Sequence, residues 1–280
     1  LDKTQPNTLA TKERDVRYTK AETSNSHTLQ IDYTEPFDSS KHVVEAGIKY
    51  ILRYNASDNQ YRRYNPITGE YDQDDLDDKG NIRKENDMDY YQHIVGAYAS
   101  YTFKLKKFSL RLGGRLEGTY QDVRFADEAA RNFKVRFLDL IPYVSTSFKL
   151  TDASNLRVSY NNGISRPSIW FLNPYVDDTD PYLISYGNPN LKSERSHNFS
   201  VSYGLFSQKL NLSISAYSSI VNNSIESNDS VDSKGIRYHT YANIGSNGNL
   251  GGSFYINYNP IKWFSFWTLL STGYSRYTNR

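Results

Sequence analysis

VEAGIKYILRY, Val44 to Tyr54, decides the fold class. Val44, Ala46, Ile48, Tyr50, Leu52 and Tyr54 are apolar or aromatic, and Glu45, Gly47, Lys49, Ile51 and Arg53 between them are mostly polar. That is a period of two, the repeat of a strand with two unlike faces. A helix would set Glu45 and Lys49 on one face with Ile48 and Leu52 beside them. The same pattern recurs down the chain. Phe108, Leu110, Leu112 and Leu116 alternate with Ser109, Arg111, Arg115, Glu117 and Thr119. Leu210, Leu212, Ile214 and Ala216 alternate with Asn211, Ser213, Ser215 and Tyr217. Phe254, Ile256 and Tyr258 alternate with Ser253, Tyr255 and Asn257.

About ten such runs start near Thr28, His42, Tyr91, Phe108, Phe133, Asn155, His197, Lys209, Ile236 and Trp263. Many continue for about 12–20 residues, against the five or six usual in soluble sheets and the 9–11 of a tilted membrane strand. Helical stretches are essentially absent. The polar face carries charge in mid-strand: Glu45, Lys49, Arg53, Arg111, Arg115, Glu117, Asp139 and Arg157. A soluble sandwich with one solvated face shares that property, so the faces alone leave both readings open.

Composition narrows the field. The 280 residues carry a formal charge of only +2 and contain no Cys, which argues against nucleic-acid binding, a disulfide framework and a thiolate metal site. Tyr accounts for 25 residues of a 15% aromatic content, and suits surfaces that are apolar on one side and wet on the other. The mean hydropathy of −0.71 and the lack of any long apolar run argue against membrane helices only, because a membrane strand needs an apolar residue at every second position. The opening LDKTQPN has no basic and apolar leader.

The connections separate barrel from sandwich. Short links (Glu35–Lys41, Lys104–Lys107, Leu150–Ser154, Gly204–Gln208, Asn259–Lys262) alternate with long ones (Asp58–Asp89, Arg124–Arg131, Gly163–Arg195, Asn222–Gly235). If strands run up and down, all the short turns fall at one end. That asymmetry belongs to bacterial outer-membrane barrels, with short periplasmic turns and long extracellular loops. Phe37, Phe103, Phe108, Phe148, Phe206, Trp263 and Phe264 cluster by the short turns, where one interfacial girdle would sit. The expected fold is therefore all-β: an up-and-down antiparallel transmembrane β-barrel.

RVSYNNGISRPSIWFLNPYVDDTDPYLISYGNPNLKSERSHNFSVSYG, Arg157 to Gly204, holds the longest excursion. Pro167, Pro174, Pro181 and Pro189 cannot donate ladder hydrogen bonds, Gly187-Asn188-Pro189 forms a turn, and Glu194 leads back into an alternating run. These 48 residues resemble a signature of TonB-dependent outer-membrane receptors, specifically the outer membrane protein β-barrel branch common in the Bacteroidetes. The matching positions are Ser165, Arg166 and Pro167; Leu172, Asn173 and Pro174; Gly187, Asn188, Pro189, Leu191 and Glu194. Elsewhere the strands match only in style.

The resemblance implies a receptor that imports a scarce ligand (siderophore, glycan or peptide) with energy relayed by TonB. It implies contacts with outer-membrane lipid and lipopolysaccharide, with the TonB complex through a plug outside this chain, and with a surface lipoprotein. Such barrels have about 22 strands, which at this density need about 600 residues. Nothing in the first 20 residues resembles a plug or TonB-contacting box, and the final YSRYTNR heads into the long-loop side. The expectation is thus a single barrel segment over residues 1–280, cut at both ends. A standalone barrel acting as passive channel or adhesin, and a soluble carbohydrate-binding β protein, are the alternatives.

Within the excursion, Arg166, Pro167, Asn173, Pro174, Gly187, Asn188, Pro189 and Glu194 are expected to fix the loop to the barrel wall. Trp170, Tyr175, Tyr182 and Tyr186 are the candidate ligand contacts, since aromatic faces at a rim suit sugars and chelates. The acidic run Asp72–Asn81 invites calcium but lacks the spacing of a calcium loop. Tyr61-Arg62-Arg63-Tyr64 beside it suits an anionic or sugar-like ligand, or lipopolysaccharide headgroups. The five His are scattered without metal-ligand spacing, and no nucleophile motif is present, so neither a metal, a cofactor nor an enzyme is expected.

Overall fold

The alternating runs are strands along nearly their whole length. The computed structural model describes residues 16–76, 82, 87–126, 132–174, 176–180 and 182–279. In chain order these form β1 (Val16–Phe37), β2 (His42–Asn65), β3 (Glu70–Asp74), β4 (Met88–Lys104), β5 (Phe108–Phe125), β6 (Phe133–Lys149), β7 (Ser154–Ser165), α1 (Ile169–Leu172), β8 (Val176–Asp180), β9 (Leu183–Tyr186), β10 (Glu194–Phe206), β11 (Leu210–Val231), β12 (Arg237–Ile261) and β13 (Phe264–Asn279). Three of these strands are short and ten are long, as the alternation predicts; the one helical element is a single turn.

The long strands are hydrogen-bonded in sequence order, β1-β2-β4-β5-β6-β7-β10-β11-β12, with β13 on β12. The pairings β6–β7, β7–β10, β10–β11, β11–β12 and β12–β13 are all antiparallel. The short links are tight: Lys41 N–H donates to Asp38 O at 3.0 Å, Leu105 N–H to Phe108 O at 2.7 Å, and Ser207 N–H to Leu210 O at 2.9 Å. Contacts divide the chain into two compact units. One comprises the described parts of Leu1–His27, Ile51–His93 and Tyr120–Val135; the other comprises Thr28–Tyr50, Ile94–Thr119 and Arg136–Arg280.

Burial is inverted relative to a water-soluble fold. Among the described residues the buried large apolar side chains are Ile94, Val123, Phe125, Val135, Leu172 and Leu191, with Pro167 beside them, whereas buried polar ones include Gln92, Ser100, Thr102, Glu117, Thr119, Gln121 and Asp139. Leu112, Leu116, Leu138, Leu140, Phe199, Val201, Ile214 and Leu270 stand exposed. The register carries this face across strands, as in Ile214↔Phe254↔Leu270. So much apolar side chain facing outward needs a solvent as apolar as itself. Beside the short turns, His42 stacks on Phe37 with ring centres 5.1 Å apart, and Phe108 meets Phe148 at 5.0 Å.

On the polar face, three tyrosines reach over a glycine of the neighbouring strand with the hydroxyl end of the side chain: Tyr98 over Gly47, Tyr143 over Gly113 and Tyr217 over Gly251. A Cβ at Gly113 would come within 2.7 Å of the Tyr143 hydroxyl, and one at Gly251 within 2.5 Å of that of Tyr217. Part of the tyrosine surplus is thereby spent covering wall rather than projecting from it.

Two boundaries differ from the sequence reading. β1 begins at Val16, not near Thr28, because VRYTKAETSNSH is polar on both faces and carries no alternation. The expected long link Asn222–Gly235 is mostly strand, with residues 232–236 joining β11 to β12. A bulge at Asn222–Ser224–Ile225, with Asn223 at φ 58°, breaks the period of two there while pairing continues to Val231↔Arg237. Likewise β2 runs on to Asn65 and folds back as a hairpin with β3.

Candidate functional site

Ser165 and Glu194 pair directly across β7 and β10, so the residues between them leave the sheet and return to the adjacent strand. Prolines and the Gly187 turn keep this stretch from joining the ladder, and polar groups from the sheet hold it instead. Arg166 follows immediately after the last ladder residue. Its Nη1 donates to Glu117 and its Nη2 to Asp139 Oδ2 at 3.0 Å. Both carboxylates are buried on the polar face, and the Arg166 side chain is only 14% exposed. At the returning end, Ser193 Oγ donates to Asp139 Oδ2 at 3.3 Å and Arg195 Nη2 lies 3.4 Å from Asp139 Oδ1. Asp139 therefore holds both ends of the excursion, and Arg115 adds a second cation to Glu117.

Inside the excursion the packing is local. Leu172 on α1 is fully buried, Leu191 nearly so, and Pro167 is buried too. Gly187 N–H donates to Asn173 O at 2.9 Å and Asn188 N–H to Phe171 O at 2.7 Å, an approach so close that a side chain at Gly187 would strike the Asn173 and Phe171 carbonyls. Asn188 Nδ2 donates to Tyr241 O at 2.9 Å, its Oδ1 accepts Asn190 N–H at 2.9 Å, and Phe171 meets the Tyr241 ring edge-on at 4.7 Å. Asn243 Oδ1 accepts Lys192 N–H at 2.8 Å while its Nδ2 donates to Lys192 O and Asn223 O. Glu194 Oε1 accepts Ile225 N–H at 2.7 Å, at the register shift between Ser224 and Ile225. Pro174 and Pro189 are half-buried at the flanks of these turns.

The sheet also grows sideways here. β9 pairs parallel with β12 (Arg237↔Leu183, Tyr238↔Ile184, His239↔Ser185), and β8 pairs antiparallel with β9. Arg237 N–H donates to Tyr182 O at 2.9 Å. Beside this junction Asp229 accepts from Arg237 Nη2 at 2.6 Å and pairs with His239 Nδ1 at 2.5 Å. The Arg237 and His239 hydrogen bonds hold the Asp229 carboxyl below its usual range.

The aromatic candidates sit on separate pieces of the excursion: Trp170 on α1 and 74% exposed, Tyr182 before β9 and 72% exposed, Tyr186 ending β9. Tyr175 lies outside the described residues. Of the acidic run, Asp74 pairs with Arg62 at 2.7 Å, Asp75 is buried against Arg63 at 2.7 Å, and Asp72 accepts from Asn65 and Thr68; residues 77–81 lie outside the described residues. Arg62 and Arg63 thus face the acidic run across the β2–β3 hairpin, a pairing that needed the hairpin to be seen. No group of three or more His, Asp or Glu suited to a metal ion occurs among the described residues.

A polar-lined, apolar-faced, up-and-down sheet with an anchored excursion at its long-loop end defines an outer-membrane barrel. The chain belongs to the outer membrane protein β-barrel family, whose model matches residues 2–280, and its place is the bacterial outer membrane. It is similar to the ferric citrate transporter FecA in its unliganded form (TM-score 0.67, 12% identity, 96% of this chain and 38% of that one). It is similar as well to the copper transporter OprC (0.64, 16%, 93% and 39%). A third is the pyoverdine outer membrane receptor FpvA from Pseudomonas aeruginosa PAO1 bound to pyoverdine (0.61, 18%, 94% and 37%). The chain therefore spans 37–39% of the length of each. No curated protein matches.

Proposed function

We propose that this chain is part of the barrel of a TonB-dependent receptor that takes up a scarce extracellular ligand. The observation that carries the reading is the double anchoring of the excursion on Asp139 and Glu117. A passive pore has no need to fix a long loop by buried charge, whereas a receptor must present loop side chains in one geometry to recognise a ligand. Trp170, Tyr182 and Tyr186 are the described side chains proposed to meet it, with Tyr175 from the same stretch. The polar face would line the passage, and coupling to TonB would run through a plug outside these 280 residues. A surface lipoprotein covering the loops fits the same scheme. No bond is made or broken, so the role of the residues is to bind and to guide.

The test is conductance and uptake of the native protein. In a planar bilayer a plugged receptor stays closed, and cells depleted of TonB lose accumulation of whichever labelled siderophore, glycan or peptide the wild type imports. A steady open conductance together with TonB-independent uptake would make the protein a passive channel.

A further inference from the structure

Near the short turns, the register sets a row of donors across the polar face. Leu105 N–H donates to Phe108 O at 2.7 Å, so Lys104 stands opposite Ser109. Lys149 N–H donates to Lys107 O at 2.7 Å, which sets Ser109 opposite Ser147, and Ser147 pairs with Arg157. Lys104, Ser109, Ser147 and Arg157 thus stand side by side on β4, β5, β6 and β7, two cations flanking two hydroxyls. They line a concavity of about 540 Å³ that lies entirely within the second of the two compact units.

The charges of this concavity do not cancel. Among the described residues lining it Glu45 is the one carboxylate, and it is already engaged. Arg111 Nη2 lies 2.6 Å from its Oε2, and Ser100 Oγ donates to the same oxygen at 2.7 Å. Lys104 and Arg157 are exposed, and neither side chain has a hydrogen bond or ion pair among the described residues. The Ser109 and Ser147 hydroxyls are half-buried and equally unengaged there. Farther up the same face the cations are matched: Arg115, Arg166 and Arg195 all meet Glu117 or Asp139.

We propose that the row Lys104–Ser109–Ser147–Arg157 binds a phosphate group. Adjacent strands lie about 4.8 Å apart, so the two cations start about 14 Å apart at the backbone, a gap their long side chains close from both ends over the serines. A phosphate presents at least three acceptor oxygens to the guanidinium fork, the ammonium and the two hydroxyls, whereas a carboxylate presents two. The fork takes two of those oxygens at once, which is the strongest arrangement open to it. The concavity has room for a phosphate carried on a larger molecule as well as for the free ion. The site depends on the polar face lining the passage, and neither on the identity of the imported ligand nor on coupling to TonB.

The test titrates the full native protein, in detergent at fixed ionic strength, with inorganic phosphate, glucose 6-phosphate and glucose. Folding of each variant is followed by its heat-dependent electrophoretic migration. Both phosphates are expected to bind and glucose is not; a tighter sugar phosphate marks an ester as the natural form, and equal affinities mark the free ion. Arg157→Gln should weaken phosphate binding about tenfold or more, Lys104→Gln should weaken it less, and Arg157→Lys should fall between wild type and Arg157→Gln. Lys234→Gln, on the β11–β12 link at the other end of the strands, should change nothing. Glucose binding as tight as the sugar phosphate, phosphate binding unmoved when both cations are removed, or an equal loss in Lys234→Gln would each overturn the proposal. So would a wild-type protein that binds no phosphate, which would leave the row to a carboxylate of the same polypeptide. Failure of the receptor reading shows instead in conductance and uptake, and leaves these titrations as they are.

Discussion

Glu194 Oε1 accepts the amide N–H of Ile225 at 2.7 Å, so the first residue of β10 caps a bulge in β11. A bulge sheds a ladder hydrogen bond, and a half-buried amide without a partner costs about 1–3 kcal/mol. Glu194→Ala should therefore open the hairpin above the bulge, read as faster hydrogen exchange at Ile225 and its neighbours, while Glu194→Gln keeps an acceptor and most of the protection. Unchanged exchange in Glu194→Ala would show that the bulge needs no cap.

Arg166 neutralises Glu117 and Asp139 at once. Removing one member of a buried ionic cluster commonly costs about 3–5 kcal/mol, because the charges left behind are uncompensated. Arg115 and Arg195 still serve those carboxylates here, so Arg166→Ala should fall at the lower end of that range. It should release the excursion to limited proteolysis, and adding Asp139→Asn should restore part of the resistance. A single variant as resistant as wild type would remove the anchoring role.

The two faces of one strand should answer differently to the same substitution. Leu112→Arg or Ile214→Arg should cost about 2–4 kcal/mol at the apolar midplane, whereas Ser213→Arg on the polar face should cost much less. Equilibrium unfolding from lipid vesicles measures both. Equal costs would reverse the assignment of the faces.

The tyrosine-over-glycine pairs make a local prediction. Gly251→Ala drives a methyl into the Tyr217 ring and the Thr272 carbonyl, an overpacking worth about 1–3 kcal/mol. Gly248 has nothing within 4 Å of its would-be Cβ, so Gly248→Ala should change stability by less than about 0.5 kcal/mol. Paired unfolding curves decide it.

Acid should loosen the junction between β9 and β12. Asp229 is held below its usual carboxylate range by Arg237 and His239, so it binds a proton less readily folded than unfolded. Its contribution is complete above the unfolded carboxylate value of about 3.9 and is lost as pH falls through the lower folded value. Protection at Arg237–His239, taken as the exchange rate relative to the intrinsic rate at each pH, should fall in that acid window, and Asp229→Asn should remove the acid step.

The strands and turns were legible because alternation and turn residues are local: His42, Phe108 and Leu210 begin strands where the pattern begins. The extracellular extensions were not, since residues 16–27 see water on both faces and Asn223 shifts the phase of β11. The signature residues Arg166 and Glu194 were visible, but their partners Glu117, Asp139 and Ile225 are distant in sequence and carry no mark of the pairing.

A protein whose apolar side chains point outward is packed against a liquid, and a liquid takes the shape of whatever it meets. Leu138 or Ile214 can be exchanged for any apolar residue without leaving a hole, while Tyr217 and Gly251, or Arg166 and Asp139, must change together or not at all. Evolutionary drift is thereby free on one side of each strand and coupled on the other.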